Sequence, residues 1–314
     1  MKNKILIFGI TGQDGSYLAN IYLKNNFVVH GISRKKNNWD KNLKLLMIEK
    51  RIKIFKINHQ FNKIKKILKN NYKYIFFLGG QSSVIKSYSE LEYETYISQI
   101  QPLKIILEQL RNQKKNNTKL LFSSSSEIYG EQKNKKLNEL SLKQPQSPYG
   151  LSKLIGYELI KSYREMFNIK CFSIIFFNHE SILRNDNFIF KKISNYIKEG
   201  NFSQKLQIGR LDVIRNWGSS EEYMNILSQI MKNNKVEDYV LATRNSTSLR
   251  DVVKLFFKKK GINYKKKIKI NKNLFRKYEI KANYADVRKL KKLIKIYPKK
   301  NYKDLVNQFL NNEF

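Results

Sequence analysis

The sequence predicts an α/β protein, a doubly wound parallel sheet with a smaller C-terminal α/β domain, and three observations predict it. Short apolar runs alternate with longer helical stretches through the first half of the chain, the pattern of a parallel sheet wrapped by helices. The apolar runs lack period-two alternation, as strands buried on both faces do. The first run feeds directly into a glycine-rich turn and then a helix.

Taken in order, residues 5–8 read as a strand, 16–25 as a helix, 27–32 and 52–57 as strands, and 61–70 as a helix. Residues 74–78 follow as a strand, 91–111 as a long helix, 119–123 as a strand, 149–167 as a helix and 171–177 as a strand. Beyond about residue 178 the elements shorten and the pattern loosens. The expected domains are therefore 1–178, to which 213–237 return, and a second domain of 179–212 and 238–314.

Composition narrows the class. The chain has 314 residues, 41% of them apolar, enough for a sizeable core. It contains no uncharged apolar run of about 18 residues, so no membrane helix is expected. The apolar run at 5–8 is too short for a signal peptide and no small-residue cleavage site follows, so a cytoplasmic protein is expected. The single cysteine, Cys171, excludes an internal disulfide and a CxxC metal site, and is read as a buried strand residue. No metal site is expected. The formal charge of +37 comes from 62 basic against 25 acidic residues. The lysines are scattered beside many asparagines and isoleucines, all with AT-rich codons, and no nucleic-acid-binding motif accompanies them. Neither nucleic acid nor membrane is an expected partner. A positive field would still speed encounter with an anionic nucleotide.

Gly9, Gly12 and Gly15 stand in the strand–turn–helix context that marks a dinucleotide site, the Rossmann fingerprint. One glycine permits the tight turn, one lets backbone approach a pyrophosphate, and one lets helix and strand pack closely. With Thr11, Gln13 and Asp14 they form the expected pyrophosphate turn at a helix N-terminus. The second strand ends in Ser33-Arg34-Lys35-Lys36, where an NAD site would carry an acid. Arg34 can fork onto a 2′-phosphate, so NADP is the expected cofactor. The third strand ends in Asn58-His59, where a side-chain acceptor could hold the adenine amino group.

Two segments carry the chemistry. Ser125 and Glu127 lie just past a strand, and Tyr149 with Lys153 opens a helix. Four residues apart, Tyr149 and Lys153 share a helical face, where the ammonium favours the phenolate. Tyr149 can then take a proton from a sugar hydroxyl as hydride leaves the same carbon. A serine hydroxyl completes the hydrogen bonding. Glu127, two residues past Ser125 on what would be an extended segment, is expected on the same face. A carboxylate there suits removal of a C5 proton and expulsion of a 6-hydroxyl, steps that an epimerase or ketoreductase does not need.

These residues resemble those of the GDP-mannose 4,6-dehydratases, within the extended short-chain dehydrogenase/reductases. The similarity runs over nearly the whole chain, through the stretches 9–18, 29–32, 78–84, 125–127, 177–181, 215–218 and 239–243. The resemblance implies that Ser125, Glu127, Tyr149 and Lys153 are catalytic. It implies that Leu78, Gly80, Gln81, Ser82, Tyr93, His179 and Arg184 line the NADP site, and that Asn178, Lys192, Arg215, Arg276 and Glu279 hold a GDP-sugar. It further implies a homodimer or homotetramer. The expected reaction oxidises C4, eliminates water across C5–C6 and returns hydride to C6. The chain departs from the family in having Ser125 for threonine, Asn58 for an acid, Ser83 for histidine, Ile182 for proline, Leu183 for arginine and Asn216 for aspartate. Its substrate motif reads Arg276-Lys277-Tyr278-Glu279, and the loop after Arg34 is short. The competing readings are a dehydratase of another GDP-sugar such as GDP-heptose, an epimerase or 4-ketoreductase on the same scaffold, and a non-enzymatic NADP-binding protein.

Overall fold

The computed structural model describes residues 2–34, 40–113, 117–133 and 135–313. Lys35 and Lys36, expected beside the cofactor, lie outside the described residues. The chain divides into two compact units. The first contains Met1–Gly130, Leu142–Phe176 and Met224–Tyr239, and the second Glu131–Ser141, Phe177–Tyr223 and Val240–Phe314. Compared with the expected boundaries, the second unit takes in the excursion at 131–141, and the segment returning to the first unit is 224–239.

In chain order the elements are β1 (Lys4–Phe8), α1 (Gln13–Lys24), β2 (Val28–Ser33), α2 (Lys41–Leu45), β3 (Lys53–Lys56), α3 (Asn62–Leu68), β4 (Tyr74–Phe77), α4 (Glu92–Arg111) and β5 (Lys119–Ser125). There follow β6 (Lys136–Leu137), α5 (Pro148–Phe167), β7 (Cys171–Phe176), β8 (His179–Glu180), α6 (Ile189–Glu199), β9 (Leu206–Ile208), β10 (Ile214–Asn216), β11 (Gly218–Ser219) and α7 (Ser220–Lys232). The chain ends with β12 (Tyr239–Leu241), β13 (Ser246–Ser248), α8 (Leu249–Lys258), α9 (Tyr264–Lys267), β14 (Ile268–Ile270), β15 (Tyr284–Ala285), α10 (Arg288–Ile294) and α11 (Tyr302–Asn311). No helix among the described residues is long and apolar enough to cross a membrane.

The main sheet has strand order β12-β7-β5-β4-β1-β2-β3. The pairings β1–β2, β1–β4, β2–β3, β4–β5 and β5–β7 are all parallel. Chain order therefore runs outward from β1 to β3, then crosses back to β4 on the other side of β1. In such sheets ligands bind beyond the strand carboxyl ends at the point of reversal, here between β1 and β4. The central strands are almost wholly buried, with Ile5, Leu6, Ile7, Phe76, Leu120, Phe122 and Cys171 at 1% exposure or less. That accounts for their unbroken apolar runs. Phe122, Leu103, Ile106, Leu107 and Ile160 join strands to α4 and α5 in one cluster. Gly156 lets α5 settle on β5, since a Cβ there would sit 2.3 Å from the Phe122 ring.

In the second unit the strands are short and pair two by two: β10 with β13, β11 with β8, β14 with β9 and β15 with β6. Its core is packed by α6, α8 and α11, whose Phe190, Phe256 and Phe309 rings lie within 6.3 Å of one another. Asn301 caps the start of α11 in a capping box with Asp304, which satisfies N–H groups that the first helical turn leaves free.

The glycine turn leaves no room for a side chain. A Cβ on Gly15 would stand 2.3 Å from the Gly9 carbonyl oxygen and 2.7 Å from the Ile10 Cα. Both are backbone atoms, so β1 or α1 would have to shift. Gly15→Ala is expected to lower the unfolding free energy by about 1–3 kcal/mol, the usual cost of overpacking. Urea denaturation reads this directly, and a change below about 0.5 kcal/mol would mean that strand and helix do not approach so closely.

Candidate active site

The pyrophosphate turn forms as its glycines demand. Gly9 has φ +81°, the left-handed region. Its missing side chain is occupied by Gly79, whose Cα would lie 2.7 Å from a Cβ on Gly9. Gly9 follows β1 and Gly79 follows β4, so two glycines meet at the point where the sheet order reverses. Gly12 closes the turn, donating its N–H to the Gly9 carbonyl at 3.0 Å, and stands as N-cap of α1. The first turn of a helix leaves its N–H groups without intrahelical partners, and they favour an anion. Thr11 Oγ1 and Ser33 Oγ, 2.8 Å apart, tie the turn to the end of β2.

The loop after β4 is set by α4. Gly80 has φ +123°, and a Cβ there would strike the Gln99 amide at 2.6 Å. Gln81 is buried, with its Nε2 donating to Thr95 Oγ1 at 2.9 Å and to the Ser83 carbonyl at 2.8 Å. Its side-chain oxygen accepts from the Ser83 N–H. Its backbone N–H donates to Ser98 Oγ at 3.0 Å, and its carbonyl accepts from Gln99 Nε2 at 2.9 Å. Leu78 is half-buried, while Ser82 and Tyr93 are exposed.

At the ends of β2 and β3 the structure assembles a cluster the sequence did not show. Arg34 Nη1 meets Glu94 Oε1 at 2.6 Å, and His59 Nε2 meets Glu94 Oε2 at 3.2 Å. Asn58 is exposed.

Tyr149 and Lys153, the pair expected to be catalytic, sit where α5 begins. Ser147 caps the helix by accepting from the Gly150 N–H at 2.9 Å, and Pro148 occupies the first turn. Tyr149 is half-buried, and its N–H donates to Ser87 Oγ at 3.2 Å. Lys153, one turn on, is 4% exposed. Its Nζ donates to the Ser123 carbonyl at 2.7 Å, and lies 5.1 Å from the Phe122 ring centre and 5.9 Å from that of Tyr149. Burial pulls the Lys153 ammonium down to about 7, against a smaller opposing pull from Asp14. Ser123, not singled out from the sequence, is thus the direct anchor of the lysine. The only signal for it was its place in the serine run that ends β5.

The expectation for Glu127 needs a correction. Residues 125–127 do not form an extended segment on which alternate side chains share a face. Ser125 is the last residue of β5, and Ser126–Ile128 turn at once into a 3-10 helix. Ser125 Oγ caps that turn, accepting from the Glu127 N–H at 3.3 Å. The backbone approach to α5 brings Glu127 to the site: a Cβ on Gly150 would lie 2.7 Å from the Glu127 carbonyl oxygen. Gly150 follows Tyr149 directly, so the turn carrying Glu127 packs on the turn carrying the tyrosine. Ser125 and Glu127 are both half-buried.

In the second unit three of the expected substrate residues come together. Arg215, 4% exposed, meets Glu279 Oε1 at 3.1 Å, and Arg276 approaches the same oxygen at 3.7 Å. Lys192 donates to the Gln207 carbonyl on β9 at 2.7 Å, and burial lowers its pKa. The Asn178 carbonyl accepts from the Gly218 N–H at 3.0 Å. His179 Nδ1 lies 2.8 Å from the Phe177 carbonyl, and its ring stands against Tyr223. Arg184 lies over the Phe188 ring at 3.6 Å, with Nε 3.4 Å from Glu180.

A family model described as GDP-mannose 4,6 dehydratase matches residues 6–309. The chain belongs to the GDP-mannose 4,6-dehydratase family. It is 29% identical to the GDP-mannose 4,6 dehydratase of Drosophila melanogaster, over 97% of this chain and 84% of that protein. It is 30% identical to that of Homo sapiens, over 82% of this chain and 72% of the human protein. Among solved structures, DesIV, a dTDP-glucose 4,6-dehydratase from Streptomyces venezuelae with NAD and TYD bound, superposes with TM-score 0.88 at 14% identity. That match covers 98% of this chain and 96% of DesIV. UDP-glucuronic acid 4-epimerase from Bacillus cereus, in complex with UDP-glucuronic acid and NAD, gives 0.86 at 21% identity, covering 98% of each chain. At these identities the structural matches establish the fold. Membership of that family makes the protein an enzyme of the nucleotide-sugar dehydratase kind.

Lys153 makes stability depend on pH in a definite direction. Unfolded, the lysine keeps its proton to about 10.5; folded, it gives it up near 7. Between those values the unfolded chain binds more protons, so this group makes the fold more stable as pH rises. The slope is at most about 1.4 kcal/mol per pH unit. Lys153→Met removes the cost of burying the charge. Its stability advantage over the parent, measured by urea denaturation of cofactor-free protein, should be largest below pH 7 and shrink toward pH 10. A difference independent of pH would place the ammonium in water.

Proposed function

We propose that the protein converts GDP-mannose to GDP-4-keto-6-deoxymannose with NADP as its cofactor. The observation that carries this reading is the contact between the Glu127 turn and the first turn of α5. It sets a carboxylate-bearing residue beside the Tyr149–Lys153 pair. The cofactor fits the first unit. The Gly9–Gly79 contact leaves the strand ends bare of side chains, and the N-terminus of α1 would suit an anion there. Gly9, Thr11, Gly12, Gln13, Asp14 and Gly15 would hold the pyrophosphate, and Arg34 would meet the 2′-phosphate.

Held by the glycine turn and Arg34, the cofactor would supply a hydride acceptor for C4 of the sugar and a hydride donor for C6. Tyr149 removes the proton from O4 as the 4-ketone forms, and Ser125 donates to that oxygen. The Lys153 ammonium, held on the Ser123 carbonyl, favours the tyrosinate. The ketone acidifies C5–H, and Glu127 takes that proton and delivers it to the departing 6-hydroxyl, which leaves as water. The proton that Tyr149 took from O4 balances the one added at C5 as hydride reaches C6, so one water is lost and no net oxidation occurs. In the second unit Arg215 and Arg276, oriented by Glu279, would pair with the diphosphate. Asn178 and Lys192 would complete the GDP-sugar contacts. The same reading makes the protein a cytoplasmic homo-oligomer, a dimer or tetramer.

Incubation with GDP-mannose and NADP⁺ should give a product lighter by one water in the mass spectrum. Glu127→Gln and Tyr149→Phe should each slow its appearance by about 10²–10⁴, the range for a general acid or base. A mass unchanged for GDP-mannose would overturn this substrate, and loss of water undiminished in Glu127→Gln would overturn the role of the carboxylate. Arg276→Met should raise KM for the GDP-sugar about tenfold while kcat holds, since a diphosphate contact binds ground and transition states alike. A fall in kcat with KM unchanged would place Arg276 at the reacting carbons instead.

A further inference from the structure

The cluster at the ends of β2 and β3 bears on the choice between NAD and NADP, and the inference rests on the dinucleotide reading of the first unit. In folds of this kind the ribose of the adenosine lies just past β2, where an acid accepts from the 2′-hydroxyl of NAD or an arginine receives the 2′-phosphate of NADP. The first residue past β2 is Arg34, and Ser33 before it bonds to Thr11 of the glycine turn. Arg34 thus stands at the ribose position. Its guanidinium is already engaged: Nη1 lies 2.6 Å from Glu94 on the first turn of α4. The second carboxylate oxygen is pinned by His59 Nε2 at 3.2 Å.

The three side chains differ in how firmly they are set. Glu94 is 17% exposed, Arg34 42% and His59 49%. The carboxylate is the buried hub and the cations are its more exposed arms. Any nucleotide that reaches Arg34 therefore meets a fixed carboxylate within a guanidinium's width. A 2′-phosphate, close to dianionic, would be repelled by it and would have to share Arg34 with it. A 2′-hydroxyl can donate to it. The acid that NAD sites carry at the end of β2 is missing from the sequence there, and α4 supplies one in space.

We propose that Glu94 is a specificity-determining residue: it offers the ribose hydroxyl an acceptor, weakens the pull of Arg34 on a 2′-phosphate, and lets the enzyme use NAD alongside NADP. Calorimetric titration of the cofactor-stripped protein with NAD⁺ and with NADP⁺ tests it. The parent should bind the two within about tenfold of each other. Glu94→Gln, which keeps the shape and removes the charge, should tighten NADP⁺ by at least about tenfold and weaken NAD⁺. Adding Arg34→Ala should cancel the NADP⁺ gain, and thermal unfolding should show both variants folded. A parent that binds NADP⁺ more than about a hundredfold tighter than NAD⁺, or a Glu94→Gln variant that loses NADP⁺ affinity, overturns the proposal while the dinucleotide site stands. The second result would make Glu94 an orienting partner of Arg34. Binding of neither nucleotide overturns the dinucleotide reading itself.

Discussion

Everything at the candidate site depends on one steric constraint: three stretches of backbone converge where no side chain fits. Gly9 at the end of β1 lies against Gly79 at the end of β4, and Gly15 of α1 lies against Gly9 from the other side. These contacts let the sheet reverse its order between β1 and β4 with the helix N-terminus directly over the gap. A side chain at any of the three would push strand and helix apart. The peptide N–H groups that suit a pyrophosphate would then no longer converge. The positive φ of Gly9 and Gly80 belongs to the same arrangement, since both loops must turn sharply at the strand ends to leave the opening clear.

The second controlling feature is the burial of Lys153. An ammonium at 4% exposure is costly, and here it is met by one carbonyl, a weaker contact to Ser123 Oγ and the faces of two aromatic rings. That incomplete compensation is the reason its proton is held loosely. A strained cation beside a tyrosine is useful. An anion formed on that phenol would add a charge partner to the smaller pull of Asp14 and would recover part of the stability given up to burial.

Much of this was legible in the sequence, for physical reasons that differ by element. Strands buried on both faces have nowhere to place polar residues, so β1, β4 and β7 declared themselves as apolar runs, and the observed ends fall within a residue or so of the expected ones. The turn after β1 was legible because only glycine permits it. The Tyr149–Lys153 pair was legible because helical spacing is fixed, so that residues four apart share a face. The second unit was not, because two-residue strands such as β8 and β15 carry no period to read. Nor was the geometry around Glu127, since a strand's alternation fails the moment the chain turns, and nothing in Ser125-Ser126-Glu127 announces the 3-10 turn. Glu94 was illegible for another reason. Its partners are 60 and 35 positions away in sequence, and only the fold, which brings the first turn of α4 to the residues past β2 and β3, joins them.

The same separation of local from long-range information governs how the charges behind the formal +37 are paired. Acidic residues are scarce, yet they are not spread evenly over the cations. Arg34, Arg164, Arg184, Arg215, Arg276 and Arg288 each stand against a carboxylate. Arg164 forks onto Asp238 through two nitrogens inside the first unit. A guanidinium sheds water more readily than an ammonium and holds a planar geometry, so it gains more from a fixed partner. Many lysines, by contrast, hold their charge in water on flexible stems, although Lys44, Lys86, Lys104, Lys254 and Lys300 also meet carboxylates and Lys153 is buried. The few carboxylates thus fix the positions of the arginines, while the lysine excess contributes a diffuse field. Such a field speeds the approach of an anionic nucleotide and weakens with salt. It cannot choose between ligands, and that choice falls to arginines whose carboxylates decide which way they face.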